Sequence, residues 1–378
     1  METLDRLAPS VRRAGHRAVQ ALPPAAQQQV RRAGRRGFRA LPPNAQQKVR
    51  ELWGRPGGRR ATPGTSPAAP SAAPSAPRSA SAGGVRRIPL DRLDAELAEA
   101  ARLFSVSEDQ ARHFLDHFEV ALPLDAPTDP FSADYREWTW DLYRRISGRA
   151  AYELDNEASP FDLEVAKARP YPFQTESAAT VAHDLQARSR LIGSIGEATS
   201  DGLAPPARLV EFGPGWGNLT NDLAATGFQI TAVEVDDQFC TLIQERCAVP
   251  ANLRIVKSDM LAFETAEPYD AAIFFESFHH CADHLAMLRR LHQIVRPGGL
   301  VFFASEPIAP FAYPWGPRLD GLSAWSSRTY GWLELGFETR YFDAALARTG
   351  WAADRQRSGP GDSPMDVYVA RADPGWSG

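Results

Sequence analysis

The chain has 378 residues, 43% of them hydrophobic and 23% charged, which is enough apolar content for a sizeable core and excludes wholesale disorder. At roughly 150 residues per domain, the length allows about two domains, or one domain with tails. No run approaches the ~18 apolar residues of a membrane-spanning helix, and the opening METLDRLAPSVRR lacks the apolar core of a secretory leader. Cys240, Cys247 and Cys281 are an odd set without CxxC spacing, which argues against a disulfide framework or a Cys-rich zinc site. The expectation is a cytoplasmic protein in a reducing compartment.

The net charge of −4 hides an asymmetry. Residues 1–90 hold 17 of the 42 Arg and Lys but only 3 of the 46 Asp and Glu, so 25 basic and 43 acidic residues follow. That division predicts a basic tail on an acidic body. Within the tail, VRRAGHRAVQALPPAAQQQ (11–29) is followed by VRRAGRRGFRALPPNAQQK (30–48). Each copy reads as a short cationic helix stopped by Leu-Pro-Pro, and two copies are too few for a solenoid. A solvated tail is the plain reading of 1–53. A contact with an anionic membrane face or an acidic partner is the functional one, which would make the protein peripheral at the inner face of the membrane. No aromatic interleaving supports nucleic-acid binding there, and the acidic body opposes it. Residues 54–87 are mostly Gly, Pro, Ala, Ser, Thr and Arg and read as a linker.

Residues 88–180 read as a helical subdomain. Leu93, Leu97, Ala100, Ala101 and Leu103 fall near a 3.6-residue period, and Ser107 with Gln110 fits a capping box. His113 and His117 are four apart without an evident third ligand, so they read as a surface pair. Residues 131–173 are rich in aromatics that suit a subdomain core or a lid. From about 207, within a domain at 181–372, short apolar runs alternate with amphipathic helices. The strands are RLVEF (208–212), QITAVEV (229–235), LRIVK (253–257), DAAIFF (270–275), LVFFAS (300–305) and MDVYVAR (365–371). This alternation predicts an α/β protein with a mostly parallel, doubly wound sheet. Residues 306–337 are too long for an ordinary connection and show no regular element. With Tyr313, Trp315, Trp325, Tyr330, Trp332, Glu306, Arg318 and Asp320 they read as a cover over an acceptor site offering flat faces and hydrogen bonds, or as a helix-forming or dimer-contact insert.

The strongest motif is VEFGPGWGNLT (210–220), placed between a strand and a helix. Gly213, Gly215 and Gly217 let a ligand approach the backbone where a helix start offers free N–H groups. Glu234, at the end of the next strand, stands where a nucleotide ribose needs a diol acceptor. These features alone also suit a dinucleotide. Taken with its later segments, the chain resembles the class I S-adenosylmethionine-dependent methyltransferases over residues 207–371. EFGPGWG resembles the first motif, with Glu211 in its acidic position, and AVEVD (232–236) resembles the ribose-binding strand. KSDMLAF (257–263) resembles the adenine loop, with Asp259 and Met260 as contacts. YDAAIFFESFHHCADHL (269–285) resembles the fourth motif, and RPGGLVFF (296–303) the turn into the fifth strand.

The resemblance implies a Rossmann-like, seven-stranded sheet with an antiparallel last strand, S-adenosylmethionine as cofactor and a small-molecule or glycan acceptor. It further places Tyr171, Phe173 and Gln174, in ARPYPFQTES (168–177), over the methionine end of the cofactor; a Pro-fixed connector is the alternative. For catalysis the candidates are His279, His280 and Glu276. FHHCAD matches the setting of the proton-accepting His in some O-methyltransferases, with Asp283 as the later acid, and a structural His pair is the competing reading. Glu276, His279, His280 and His284 are also donors that suit a divalent ion, but no metal is expected. The Asn/Asp-Pro-Pro-Tyr/Phe motif of amino-group methylation is absent, which favours oxygen. The FFESFHH and YPWGPRLDG segments resemble bacterial methyltransferases of polysaccharide synthesis, implying a carbohydrate or glycolipid precursor. A secondary metabolite, or a cofactor-binding module docked through its tail, is the alternative.

Overall fold

Alternation of side chains along the central strands sets the architecture. Ala271 and Ile273 face one way and Ala272 and Phe274 the other, as do Leu300 and Phe302 against Val301 and Phe303. Both sets are buried, so the sheet needs helices on both faces. The computed structural model describes residues 85–122, 125–158, 161–168, 177–363 and 365–373. The basic repeat, nearly all of the linker, and Tyr171, Phe173 and Gln174 lie outside the described residues.

The main sheet contains β3 (Arg208–Phe212), β4 (Gln229–Glu234), β5 (Leu253–Lys257), β6 (Tyr269–Phe275), β7 (Val295–Ala304), β11 (Trp351–Gln356) and β12 (Val367–Ala372). Their order is β11-β12-β7-β6-β3-β4-β5, and β12 runs antiparallel to both neighbours. The seven-stranded, mostly parallel sheet with an antiparallel last strand is therefore present. On one face, α5 (Ala178–Glu197) and α6 (Asn218–Ala225) contribute Leu191, Ile195, Leu219 and Leu223 to the core. On the other, α8 (His284–Ile294) and α10 (Thr339–Arg348) contribute Met287, Leu288, Leu291, Phe342 and Leu346. The remaining helix of this part, α7 (Asp237–Arg246), is capped by Asp236, which accepts N–H bonds from Gln238 and Phe239. Among the described residues, no helix is long and apolar enough to cross a membrane.

Before this sheet come β1 (Arg86–Pro89), α1 (Leu93–Phe104), α2 (Glu108–Leu115), β2 (Phe118–Ala121), α3 (Ala133–Ser147) and α4 (Leu163–Ala168). Ser107 caps α2 as its spacing predicts, accepting the Gln110 N–H at 3.4 Å. The short parallel pair β1–β2 escapes a periodicity reading because each strand has only four residues.

The insert at 306–337 holds regular elements, a helix among them, as its helix-forming reading expects. It holds β8 (Ile308–Ala309), β9 (Trp315–Pro317), α9 (Gly321–Thr329) and the start of β10 (Leu335–Glu338). The helix hides from a periodicity search because it is buried all round, Ser323, Ser326 and Ser327 included, so no polar face marks its period. Among the insert's aromatics, Trp332 lines the cavity described below, while Tyr313, Trp315 and Trp325 are buried in the core. Tyr313, Leu319, Leu322 and Trp325 pack with Leu93, Leu97, Leu115, Phe118 and Leu142 in one core. Val120 N–H donates to Leu319 O at 2.8 Å, and the Tyr143 hydroxyl to Gly331 O at 2.6 Å. Truncating Trp325 to Ala should therefore cost about 3–5 kcal/mol in urea denaturation, as for a large core residue, and hasten proteolysis within 86–150. A loss below about 1 kcal/mol would contradict the shared core.

Candidate active site

Residues at the ends of β3, β4 and β6 meet where the strand order reverses, the place open α/β sheets reserve for ligands. After β3 the chain turns through 213–217 into α6. Gly217 has φ +70°, and a Cβ there would lie 2.6 Å from Ile243 Cγ1. Gly215 has φ +50°, and nothing described lies within 4 Å of its Cβ position. The first glycine allows the turn to pack on α7, and the second keeps the backbone open to a ligand. Glu234 ties this turn to β4, accepting N–H bonds from Gly215, Val235 and Asp236 at 3.1, 2.8 and 3.1 Å. Glu211, buried inside β3, accepts the Thr220 hydroxyl at 2.6 Å.

These residues open on a cavity of about 350 Å³. Gly213, Gly215, Glu234, Asp259, Met260 and Trp216 line it. Trp216 meets Phe161 at a tilt and Phe239 edge-on, at ring distances of 4.9 and 5.2 Å, forming an apolar wall. Tyr152, Glu157, Glu276, Ser277, His280 and Trp332 also line the cavity. Thus Glu211, Gly213, Gly215, Glu234, Asp259, Met260, Glu276 and His280 share one cavity, while Gly217 stands behind it as the α6 cap. Tyr152, Glu157, Asp184 and Arg188 also line it and carry no local sequence signal.

The cavity is rich in buried acids. Desolvation raises the Glu211 and Glu234 carboxyls to about 7 and Glu276 to about 8; the neighbouring Asp184 charge adds to the last. Arg188 is the facing cation, paired with Asp184 at 2.8 Å and with Asp222. Glu276 has φ +54° and Ser305 φ +57°, so two non-glycine residues in the left-handed region leave adjacent strand ends together. The Ser305 hydroxyl donates to Glu276 Oε1 at 2.9 Å.

The histidines separate sharply. His279 does not line the cavity. It is buried, with Nδ1 at 2.8 Å from Glu306 Oε2, and burial lowers its pKa. Glu306 also accepts the backbone N–H groups of Ser277, Phe278 and His279 at 2.8, 2.8 and 3.2 Å. Placing His279 as the reacting base is therefore corrected: its ring braces the turn. His284 is buried against the Tyr341 hydroxyl at 2.6 Å and held near 3 by desolvation, while Asp283 caps α8 and pairs with Arg136. Glu306, Arg318 and Asp320, read from sequence as acceptor contacts, are buried or spent in internal pairs. His280 alone of these imidazoles reaches the cavity, with Nδ1 3.1 Å from Glu157 Oε2.

Residues 182–354 match a family model described as a methyltransferase domain. In sequence match and in sheet order, this part of the chain is similar to methyltransferase domains. An uncharacterized methyltransferase of Bacillus mycoides is 31% identical over 103 residues, covering 27% of this chain and 48% of that protein. A ubiquinone biosynthesis O-methyltransferase of Xanthomonas campestris pv. campestris is 29% identical over 112 residues, covering 29% and 47%. The chain thus spans about half the length of the curated relatives it matches. An N-methyltransferase of Bradyrhizobium japonicum, solved with S-adenosyl-L-homocysteine, superposes with a TM-score of 0.37 at 16% identity, covering 56% of this chain and 96% of that one. The residues present fit S-adenosylmethionine: Gly215 faces open space, Glu234 ends its strand at the cavity, and several acids suit a cationic ligand.

Two outcomes follow from this geometry. Glu306→Ala leaves three buried N–H groups without their acceptor and should cost about 3–5 kcal/mol in chemical denaturation. Glu276 keeps its proton to about 8 in the native state, against 4.5 for the ordinary glutamate. Between those values the native state holds more protons than the unfolded one, so this group's contribution to stability falls as pH rises and levels off above about 8. Glu276→Gln should flatten the decline in unfolding free energy measured from about pH 5 to 8, by up to roughly 1.4 kcal/mol per pH unit. Parallel curves for the two proteins would contradict the buried protonated carboxyl.

Proposed function

We propose that the protein transfers a methyl group from S-adenosylmethionine to a hydroxyl of a ring-bearing acceptor, with His280 taking the hydroxyl proton. The observation that carries this reading is a single accessible imidazole, among the described lining residues, in the same cavity as Glu234, Asp259 and the glycine turn. The cofactor supplies an electrophilic methyl on a sulfonium centre. The chain supplies alignment and a base. Glu234, Asp259 and Met260 hold the nucleoside, the glycine turn admits it, and Trp216 and Phe239 exclude water from one side. His280 accepts the proton as the oxygen becomes nucleophilic.

The acceptor class follows from what the cavity offers. Its volume of about 350 Å³ lies at the low end for ligand pockets, so only the reacting end of an acceptor enters beside the cofactor. The flat rings of Tyr152 and Trp332 line it, and Leu154, which is 41% exposed, continues the apolar lining to the surface. An apolar ring bearing a hydroxyl suits these walls, in keeping with the name of the Xanthomonas campestris relative. A carbohydrate or glycolipid precursor is the second reading. It is favoured by the same flat faces and by the cationic repeat at 11–48, which would bring the enzyme to an anionic membrane carrying such an acceptor.

Labelled S-adenosylmethionine incubated with phenolic compounds, lipid-tailed rings, sugar nucleotides and lipid-linked glycans separates the two. Label in a ring hydroxyl supports the first, label in a glycan the second, and label only on nitrogen refutes hydroxyl transfer. His280→Ala should lower turnover about 10²–10⁴-fold with cofactor affinity kept. Glu234→Ala and Asp259→Ala should each weaken cofactor binding in calorimetry, and unchanged affinity in both would remove the cofactor assignment.

A further inference from the structure

His280 belongs to the turn after β6, yet its nearest charged neighbour comes from far away in sequence. Glu157 ends a short 3-10 helix, Leu154–Glu157, in the segment that precedes the methyltransferase domain. Its carboxyl gathers donors from three parts of the chain. Oε1 accepts the Leu333 N–H of the insert at 2.9 Å, and Oε2 lies 3.1 Å from His280 Nδ1, at ion-pair distance but off the hydrogen-bond direction. The Tyr152 hydroxyl is held protonated by burial and by Glu157. Glu157 thus takes up the Nδ1 side of a ring that lines the cavity.

The other groups around His280 make no comparable contact. The His279 ring lies tilted against it at 4.2 Å, its own pKa lowered by burial, and the Trp332 ring meets it edge-on at 6.1 Å. Glu306 is occupied by the turn N–H groups, and Glu334 lies beyond His279, 3.9 Å from its Nε2.

We propose that Glu157 is the positioning residue for His280, so that the base of the reaction is assembled across the junction between the helical segment and the methyltransferase domain. Once the ring has lost one proton, the Glu157 carboxylate 3.1 Å away favours the remaining proton on Nδ1 and leaves the Nε2 lone pair toward the acceptor. When the O–H bond breaks, its proton passes to Nε2 and the imidazolium that forms is stabilised by the carboxyl on its far side. The oxygen pair makes the new O–C bond, and the pair of the broken C–S bond stays on sulfur. This inference rests on the hydroxyl-transfer reading for its chemical consequence, but the His280–Glu157 coupling does not depend on it.

The same contact has a titration signature. Burial, the largest influence, pulls the His280 imidazole down, but Glu157 first, then Glu334 and Glu306, together push it up to about 9. Removing the Glu157 charge must lower the value. Four histidine-labelled proteins test this: full-length wild type, Glu157→Gln and Glu157→Asp, and His280→Asn, whose missing resonance assigns His280. In Glu157→Gln the His280 midpoint should fall by about 1–2 units, and Glu157→Asp should restore part of it. Calorimetric affinity for S-adenosylhomocysteine should stay unchanged. The rising limb of the single-turnover pH profile should move to lower pH in Glu157→Gln, while its plateau drops roughly 10²-fold because the imidazolium loses its partner.

A merely structural role would lower the plateau without moving the limb. An unmoved His280 midpoint in folded Glu157→Gln overturns the proposal, and should that variant not fold, an unmoved midpoint in Glu157→Asp does so. If His280 shifts as expected but wild-type enzyme puts no label on any hydroxyl, the coupling stands and the hydroxyl-transfer reading fails.

Discussion

Glu306 is the fixed point of this site. Strand β6 ends at Phe275 and strand β7 at Ala304, and both chains leave through left-handed residues, Glu276 and Ser305. Such a pair of departures is unfavourable unless the surroundings impose it. The Glu306 carboxyl does so by accepting three successive backbone N–H groups and the His279 ring. Ser277 completes the lock with its hydroxyl on Phe212 O at 2.6 Å, which binds the β6 turn to the β3 turn that carries the glycines. Glu276 and His280 reach the cavity as a consequence of that knot. Neighbouring residues of the same type, His279 and His280, thereby acquire opposite environments. One is buried, uncharged and bracing, and the other faces the cavity beside a carboxyl.

The electrostatics of the cavity complement this arrangement. Glu211, Glu234 and Glu276 hold protons more tightly than ordinary glutamates because each would otherwise place an unsolvated negative charge in the interior. A cationic ligand changes that balance, since it favours the ionised form of each acid. The facing Arg188 is committed to Asp184 and Asp222 and offsets little of the acidity. Such a lining favours a sulfonium donor over the neutral thioether left after methyl transfer, so the charge that aids binding also weakens retention of the spent cofactor.

Much of this was legible in the sequence where a local pattern has a local cause. The glycine turn, the acid ending the second strand and the Asp259–Met260 pair all sit where their spacing from strand ends requires, and six of the seven strands show as apolar runs. The seventh, β11, reads WAADRQ; it is an edge strand with most side chains exposed or half-buried, so no alternation marks it. The insert helix was hidden because it is buried on every side. The choice between His279 and His280 was not legible, since it depends on Glu306 from the next strand end and on Glu157, more than a hundred residues earlier. Arg188 and Asp184 were missed for the same reason: an ion pair inside one helix looks like a solvated surface until a sheet is packed against it.

The interleaving of the helical segment with the insert has a consequence for how the chain is made. Ile88, Leu93, Leu97, Phe118 and Leu142 find their apolar partners in Tyr313, Leu319, Leu322 and Trp325, which are synthesised about two hundred residues later. During translation the early segment must wait with those side chains uncovered, and contacts of such long sequence separation are slow to close. The sheet core between them can condense first, because its strands and helices follow one another in order. Genetic dissection at the conventional domain edge would then leave both halves with raw apolar faces. From β1 to β12, the apolar clusters cross the edge between the helical segment and the sheet, so the two are packed as one body.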